Sequence, residues 1–338
     1  MLYFSQRKIL PKGLDGKDFN TMKLRVAEIG MGGISAAHVS AWNRMEDVEL
    51  VAICDIRPEM MDRYDAQTTA RKYTDFEEML ANEQIDILDI TLPTYLHVEY
   101  AIKAMEKGIH VVSEKPIALK REDVARAYDC AKANGKCFMI AQVLRWWPEY
   151  VYLKDCMDSG RYGKLVSGTM TRIGAIPITS WDNWMQDPAR SGMVPFDLHI
   201  HDLDFLIYSL GKPEVEHVFH GMDYMHAIYK LGEARIACEA AWFHAPVQFS
   251  ATFRMQFEHA VLEFNGAGLK IYKEDWTTED MATASNIEEG CYVPQSDGYF
   301  NELRYFVDCV KAGEFPEMVK PDELEAVIDT IKEVYASK

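Results

Sequence analysis

Lys115 has the position in this sequence that is most typical of a catalytic side chain. It follows an apolar run, Ile109–Ser113, that predicts a buried strand of a parallel sheet, and Pro116 comes directly after it. In open α/β sheets, ligands bind beyond the carboxyl ends of the strands. Because proline fixes its own φ and restricts the preceding residue, the backbone that carries Lys115 is stiff. We therefore expect Lys115 to lie where a cofactor meets a substrate, the alternative being a surface lysine in a strand-to-helix turn.

A second group of reactive side chains lies between Asp197 and Asp204. Asp197 and His201 are four residues apart, so on a helix they share a face and can touch. A carboxylate beside an imidazole raises the pKa and fixes the tautomer of a general base. Zinc binding by His199, His201 and neighbouring aspartates is one alternative. We expect no metal, because two histidines in a His-x-His pattern on a helix point apart. The other alternative is that these polar side chains only cap a helix and face solvent.

A glycine-rich segment opens the chain's first predicted helix. It reads Gly30-Met31-Gly32-Gly33-Ile34-Ser35 and follows a predicted strand. Glycine lets the backbone turn tightly and approach a pyrophosphate, which then sits at the amino end of the helix. We expect Gly30, Gly32, Gly33 and Ile34 to contact a dinucleotide.

Asp55 ends the second predicted strand, twenty-five positions after Gly30. A carboxylate there can bind the ribose hydroxyls of the adenosine and repels a 2′-phosphate, which favours NAD. Arg57 leaves NADP as the alternative, because its guanidinium can hold that phosphate. Asp55 could instead cap the helix that begins at Pro58.

Further candidates for cofactor binding follow the later strands. Thr91 and Pro93 close one strand, and His97 lies near the start of the next helix, although a surface histidine is an equal reading there. Glu114 directly precedes Lys115 in the same turn. Loops in these places flank a dinucleotide in an open α/β sheet.

The elements that must position these residues follow two patterns. From Lys23, apolar runs alternate with helical periodicity, which predicts βαβ units and a doubly wound parallel sheet over residues 23–142. After Gln142, successive strands without intervening helices predict an α+β domain with an open, mainly antiparallel sheet over residues 143–338. Residues 1–22 are interpreted as a leader or appended segment. The predicted strands are Leu24–Ile29, Val48–Cys54, Ile85–Thr91, Ile109–Ser113, Cys137–Ala141, Leu165–Ile173, His217–Met225, Ala234–Phe243, Phe249–Phe257 and Ala260–Phe264. The predicted helices are Ile34–Met45, Pro58–Thr68, Phe76–Ala81, Leu96–Glu106, Arg121–Ala133, Glu149–Met157, Tyr299–Lys311 and Glu323–Tyr335.

Charge and cysteine usage exclude several classes of partner. The 338-residue chain has a formal net charge of −17, which argues against nucleic acid and anionic membranes, since phosphate binding needs a basic surface. Its seven cysteines contain no C-x-x-C pair and are interpreted as reduced thiols of a cytoplasmic protein. No apolar run approaches the length of a membrane-spanning helix.

Three motifs together resemble the glucose–fructose oxidoreductase / inositol dehydrogenase (Gfo/Idh/MocA) family. They are Gly30-x-Gly32, Thr91-x-Pro93-x-x-x-His97 and Gly108-x-His110-Val111-x-x-Glu114-Lys115-Pro116. The resemblance implies that Lys115 lies against the nicotinamide and the substrate hydroxyl, often with a cis bond to the proline. It also implies a homodimer or homotetramer formed through the outer face of the second sheet.

The family pattern Asp-x-Gly-x-His-x-x-Asp fits Asp197, His201 and Asp204, with His199 in place of the glycine. The resemblance therefore implies that His199 adds a bulky polar group near the substrate. Arg145 and Trp146 are further candidates for substrate binding, and a structural salt bridge is an equal reading for Arg145. We expect one or two tryptophans among residues 146, 147, 181 and 184 to line the site, because aromatic faces stack on sugars.

The resulting hypothesis is an NAD(P)-dependent oxidoreductase that acts on a secondary alcohol of a sugar, polyol or cyclitol. His201 is the expected general base, oriented by Asp197, and Lys115 is expected to stabilise the negative charge that develops on the alcohol oxygen. Two alternatives stay open: an NAD-dependent glycosidase that oxidises its sugar transiently, and a non-catalytic NAD(P)-binding regulator.

Overall fold

Two β-sheets organise the chain, and the first is built from parallel strands. The computed structural model describes residues 23–281 and 297–336. The strands of the first sheet are β1 Leu24–Ile29, β2 Val48–Cys54, β3 Arg71–Tyr73, β4 Ile87–Ile90, β5 His110–Glu114 and β6 Phe138–Ala141. They lie in the order β3-β2-β1-β4-β5-β6, and all neighbouring pairs are parallel. The order reverses between β1 and β4, which opens a crevice at the carboxyl ends of these strands. The predicted doubly wound fold is confirmed.

The helices that connect these strands match the predictions, with one correction. They are α1 Ser35–Asn43, α2 Pro58–Asp62, α3 Phe76–Asn82, α4 His97–Glu106 and α5 Arg121–Asn134. The helix predicted over Pro58–Thr68 is too long, because α2 ends at Asp62 and the unpredicted edge strand β3 follows. Beyond Asp62 the chain turns so that Tyr64 is buried and its hydroxyl lies 2.6 Å from Ser35 Oγ at the start of α1.

The second sheet is mainly antiparallel, as predicted. Its strands are β7 Leu165–Ala175, β8 Glu214–His220, β9 Tyr224–Leu231, β10 Ala234–Phe243, β11 Ser250–Phe257, β12 Ala260–Phe264, β13 Leu269–Lys273 and β14 Thr278–Asp280. They lie in the order β14-β13-β12-β11-β7-β10-β9-β8, and β7 and β10 form a parallel pair within it.

The strand predicted over His217–Met225 is wrong, because it spans the turn between β8 and β9. Gly221 permits that turn: a Cβ added there would lie 2.6 Å from the ring of Tyr224. The period-two pattern runs through the turn without a break, which is why the sequence suggested one strand.

Helices from the second half of the chain cover one face of this sheet and then return to the first sheet. They are α6 Pro148–Ser159, α7 Pro188–Ser191, α8 Ile200–Leu210, α9 Gly298–Ala312 and α10 Pro321–Ala336, with a π-helical turn over Pro195–His199 before α8. Tyr150 of α6 packs edge-on against Phe205 of α8 and against Phe253 of the sheet. Helix α9 packs against α1 and β5, and α10 packs against α5 and α8.

Several predictions about the chain's extent and setting are not decided by this architecture. The predicted leader at residues 1–22 and the cysteine at position 291 lie outside the described residues, and the division at residue 142 stays a prediction. Within residues 23–281 and 297–336, no helix is long and apolar enough to span a bilayer. The six cysteines of those ranges are all unbridged.

Candidate active site

A cleft of about 660 Å³ opens at the carboxyl ends of the parallel strands and extends to the turn before α8. It brings together the predicted cofactor-binding residues of the first sheet and the predicted catalytic pair of the second half. The predicted residues that border it are Gly30, Gly32, Gly33, Ile34, Asp55, Arg57, Thr91, Pro93, His97, Glu114, Lys115, Asp197 and His201. Arg145, Trp146 and His199 do not border it.

The glycine loop forms one wall of the cleft, and its first position has no room for a side chain. Gly30 has φ +90°, and a Cβ added there would lie 2.7 Å from the backbone of Thr91 and Leu92. The glycine therefore lets the loops after β1 and β4 touch. The Thr91 hydroxyl strengthens this contact by donating to the Gly30 carbonyl oxygen over 2.7 Å.

Asp55 organises the backbone of the glycine loop as well as the wall beside it. Its Oδ2 accepts the Met31 amide at 2.9 Å, and its Oδ1 accepts the Arg57 amide at 2.9 Å. The alternative role of Asp55 as a helix cap is wrong, since Arg57 is the residue that precedes α2. The Arg57 side chain bends back toward Asp55, with Nε 3.4 Å from Oδ1. Oδ2 accepts only the Met31 amide, so it keeps a lone pair for a ligand.

His97 is buried and has both ring nitrogens in contact with main-chain carbonyls. Nδ1 lies 2.7 Å from the Pro116 oxygen and Nε2 lies 2.7 Å from the Leu92 oxygen. Burial lowers the pKa of His97. The two carbonyl oxygens favour the protonated ring, but their effect is smaller than that of burial. His97 thus borders the cleft, and its buried ring lies between the turn after β4 and the turn after β5, so the alternative of a surface histidine is wrong.

The turn that carries Lys115 directs its ammonium across the cleft toward Asp197. The Lys115–Pro116 peptide bond is cis. Lys115 Nζ donates to the Asp197 carbonyl oxygen over 2.7 Å and to Asp197 Oδ1 over 3.0 Å. These contacts connect the end of β5 to the π-helical turn before α8, so the lysine of the first sheet and the aspartate of the second half share one site.

The expected pairing of Asp197 with His201 is wrong. Asp197 lies in the π-helical turn rather than in an α-helix, and its carboxylate bonds to Lys115. Burial, together with the positive charges of Lys115 and Arg172, lowers the pKa of His201 well below its ordinary value, whereas the sequence suggested a raised pKa. The Nδ1 atom of His201 is buried without a hydrogen-bond partner. His201 is therefore a neutral imidazole at pH 7.

Arg145 makes a structural salt bridge, which was the alternative interpretation from the sequence. It is not placed to bind a substrate in the cleft. Its guanidinium makes a bidentate pair with Asp204, at 2.9 Å and 2.6 Å, and also binds Glu323 Oε2 at 2.5 Å. It is buried and lies over the ring of Tyr208. Because its donors are committed to α8 and α10, Arg145 has no free face toward the cleft.

The predicted placement of His199 beside the substrate is also wrong. His199 is completely buried, with Nε2 2.7 Å from the Tyr229 hydroxyl and its ring stacked on that of Tyr229. Burial and the positive charge of Arg172 lower the pKa of His199 to about 3. The histidine therefore fills the space between the π-helical turn and β9.

Two of the four candidate tryptophans line the cleft. Trp181 and Trp184 border it from a 3-10 segment, whereas Trp146 is buried against Tyr305. The assignment of Trp146 to substrate binding is therefore wrong. Tyr299 of α9 also borders the cleft, and sequence reasoning missed it because it comes from a distant helix.

Two family models match the chain. The model described as oxidoreductase family, NAD-binding Rossmann fold, covers residues 24–142, and the Gfo/Idh/MocA C-terminal domain covers residues 150–267. The chain belongs to the Gfo/Idh/MocA oxidoreductase family.

Two curated proteins and one solved structure give the level of similarity. D-glucoside 3-dehydrogenase of Escherichia coli is 28% identical over 253 residues, which cover 73% of this chain and 68% of that protein. Inositol 2-dehydrogenase of Salmonella typhimurium is 29% identical over 199 residues, and the match spans 56% of either chain. The structure of levoglucosan dehydrogenase with NADH and levoglucosan superposes with a TM-score of 0.78 at 20% identity, covering 93% of this chain and 98% of that one. This last likeness shows the fold.

The cleft of this Gfo/Idh/MocA protein fits the dinucleotide that its NAD-binding domain implies. A Cβ added at Gly32 or Gly33 would meet no atom within 4 Å, so the loop presents bare backbone to open space at the amino end of α1. Asp55 supplies carboxylate oxygens at the end of β2. In the described parts of the chain, no three His, Cys, Asp or Glu side chains are grouped to hold a metal ion.

Proposed function

We propose that this protein oxidises a secondary alcohol of a sugar, polyol or cyclitol with NAD as the hydride acceptor. The observation that carries the proposal is that Lys115 and His201, from different halves of the chain, border one cleft with the glycine loop. Fold alone does not define a reaction, so the proposal rests on these side chains.

The first half of the cleft would hold the cofactor. Gly32, Gly33 and the amino end of α1 would bind the pyrophosphate, and Asp55 would bind the adenosine ribose. When bound, the nicotinamide supplies the acceptor for the hydride that leaves the carbinol carbon. NADP is the alternative cofactor, since Arg57 lies beside Asp55.

Lys115 would stabilise the negative charge that develops on the alcohol oxygen. An ammonium has three N–H donors, and two of them are directed at Asp197. The third is left for a ligand oxygen. Because Asp197 fixes the ammonium through both its main chain and its side chain, little reorganisation is needed when charge develops. Asp197 thus orients the lysine and not, as the sequence suggested, the histidine.

His201 would accept the proton that leaves the substrate hydroxyl. Its lowered pKa keeps the ring neutral, so a lone pair is available at pH 7. The nearby Lys115 ammonium opposes protonation of the ring, which makes the later release of the proton easy. As the O–H proton passes to the imidazole and the hydride leaves carbon, the alcohol becomes a carbonyl.

Trp181 and Trp184 support a carbohydrate or cyclitol as the substrate. Both are half-buried at the cleft, where an indole face can stack on the apolar face of a ring. The names of the relatives, a glucoside dehydrogenase and an inositol dehydrogenase, support the same class.

A reduction screen tests the proposal directly. The protein is incubated with NAD or NADP and a panel of inositols, aldoses, glucosides and anhydrosugars. The initial rate and the final amount of NADH or NADPH formed are measured. We expect at least one compound to be oxidised, with NAD preferred. Cleavage of an aryl glycoside without accumulation of NADH would instead identify a glycosidase. Tight NADH binding with no turnover across the panel would identify a regulator.

A further inference from the structure

A buried chain of side chains runs behind the Lys115 turn and has no part in the reaction proposed above. His38 of α1 is completely buried, and its Nδ1 lies 2.8 Å from Asp89 Oδ2. The same carboxylate oxygen accepts the Trp42 indole N–H at 2.7 Å. On the other side of the ring, His38 Nε2 lies 3.1 Å from Glu114 Oε1.

The chain ends on the backbone of the catalytic lysine. Glu114 Oε2 accepts the Lys115 amide at 3.0 Å, so a single carboxylate links the His38 ring to the peptide that carries the ammonium. Indole nitrogen only donates, which makes Asp89 Oδ2 an acceptor and His38 Nδ1 its second donor. If Nε2 also carries a proton, it donates to Glu114 Oε1 and stabilises Glu114 as a carboxylate.

We propose that His38 is a positioning residue for Lys115: as an imidazolium between Asp89 and Glu114, it keeps Glu114 ionised, and Glu114 in turn fixes the Lys115 amide. The kinetic part of this proposal rests on the proposed function. The structural part concerns only where the lysine lies.

The charges around His38 are consistent with this assignment. Burial by itself lowers the pKa of His38, but Asp89 and Glu114 together hold it well above the ordinary value. Burial raises the pKa of Glu114, whereas the hydrogen bond from His38 and its charge bring it below the ordinary value. The other titratable groups that face this ring are Glu28 of β1 and Glu302 and Tyr299 of α9. Burial raises the pKa of Glu28 and of Glu302, which favours their neutral forms, whereas the two carboxylates that contact His38 favour its charged form.

Without the imidazolium, Glu114 would be a buried carboxylate close to other acids. Such a group takes up a proton, and a neutral carboxyl is a weaker acceptor for the Lys115 amide. The turn would then lose the contact on its β5 side, while the His97 ring still lies against the Pro116 carbonyl on the other side. A displacement of about 1 Å at a catalytic group costs roughly 10²-fold in rate.

A double-mutant cycle with His38→Phe and Lys115→Met tests the kinetic part. We expect His38→Phe to lower kcat by about 10²-fold with little change in NADH affinity. In the Lys115→Met background the same change should have almost no further effect, because the residue it positions is gone. His38→Gln, which keeps an N–H donor near the Nε2 position, should recover part of the loss. Equal losses in both backgrounds would overturn the proposal.

A structural measurement keeps the test independent of any substrate. Crystal structures of the wild type and of His38→Phe report the contacts of Lys115 Nζ with Asp197. Their loss or lengthening supports the proposal, and an unchanged lysine overturns it, even if the reduction screen finds no alcohol that is oxidised. His110→Phe serves as the control. His110 lies on β5, the strand that carries Glu114, but its ring accepts the Cys137 amide and does not border the cleft.

Discussion

Lys115 and Asp197 are joined by two hydrogen bonds, from one ammonium to both the carbonyl and the carboxylate of the same residue, at 2.7 Å and 3.0 Å. The pair links the end of β5 to the turn that precedes α8. It therefore couples the geometry of Lys115, the proposed catalytic lysine, to the packing of the two halves of the chain.

Replacing Lys115 by Met should separate catalysis from cofactor binding. We expect kcat to fall by roughly 10²- to 10³-fold, which is typical for the loss of one donor to a developing oxyanion. NADH affinity, measured by fluorescence titration, should change little, because the glycine loop and Asp55 are untouched. A parallel loss of NADH affinity and turnover would show that the lysine is mainly a cofactor ligand.

The pH dependence of oxidation should reflect His201. Because burial, Lys115 and Arg172 lower the pKa of His201 well below its ordinary value, the neutral base persists into mildly acidic solution. We expect the acid limb of the kcat/KM profile to lie below pH 6.5, near which an unperturbed histidine titrates. His201→Asn should lower kcat/KM by roughly 10²- to 10⁴-fold.

The residual activity of Lys115→Met offers a second readout of the same group. Removing the ammonium removes one of the causes that lower the pKa of His201, so the acid limb should move to higher pH. The profile is measured with the same substrate and buffer series as the wild type. If the acid limb of Lys115→Met stays where it is in the wild type, although His201→Asn still abolishes most activity, the group that titrates is not His201.

Replacing Asp55 by Asn should weaken the preference for NAD over NADP. The carboxylate charge is lost while one oxygen acceptor remains for the Met31 amide. A hydrogen bond to a charged group contributes about 1.5–3 kcal/mol, so the ratio of kcat/KM for NAD to that for NADP should fall roughly ten- to hundredfold. Arg57→Ala is the matched variant, which should instead lower activity with NADP. If both variants leave the ratio unchanged, cofactor selection does not occur at this site.

Arg145 should prove essential for stability rather than for substrate affinity. Removal of one partner from a buried ion pair costs about 3–5 kcal/mol, because the other charge stays buried. We expect this loss of unfolding free energy in urea for Arg145→Met, with Asp204→Asn as its matched partner. KM of the folded fraction should be unchanged. A raised KM at wild-type stability would restore the original interpretation of Arg145 as a substrate ligand.

Glu302 should make the protein less stable as the pH rises. Burial raises the pKa of this carboxyl well above its ordinary value, and neither of its oxygens has a hydrogen-bond partner. Above about pH 4.3 the unfolded chain loses this proton while the folded chain keeps it, so the free energy of unfolding declines with rising pH. Glu302→Gln should therefore raise the melting temperature at pH 7 but not below pH 4. The exposed Glu46→Gln is the control and should give no such pH-dependent gain.

The sequence predicted the first half of the cleft well because local pattern dictates it. The glycine loop, Asp55 and the Glu-Lys-Pro turn each follow an apolar strand directly, and a parallel sheet brings such turns to one edge. The same reasoning missed His38, because a single histidine among the small and apolar residues of α1 gives no sign of which strands it will face.

The errors arose where partners come from distant parts of the chain. Arg145 is bound by residues 59 and 178 positions away in sequence, and no local spacing reveals either contact. His199 and His201 were separated correctly by the helix period, but which of them faces the cleft depends on Tyr229 of β9. The prediction of a homodimer or homotetramer stays a prediction, since a single chain does not test it.

The central claim is that Lys115 and His201 act on one alcohol oxygen, and a double-mutant cycle on the single-turnover rate of NADH formation tests it most directly. Groups that act as a unit are strongly non-additive. We therefore predict that Lys115→Met combined with His201→Asn is no more than a few times slower than the worse single variant, with NADH affinity retained in all three. Independent, fully multiplied losses, or a near wild-type rate in either single variant, would contradict the account.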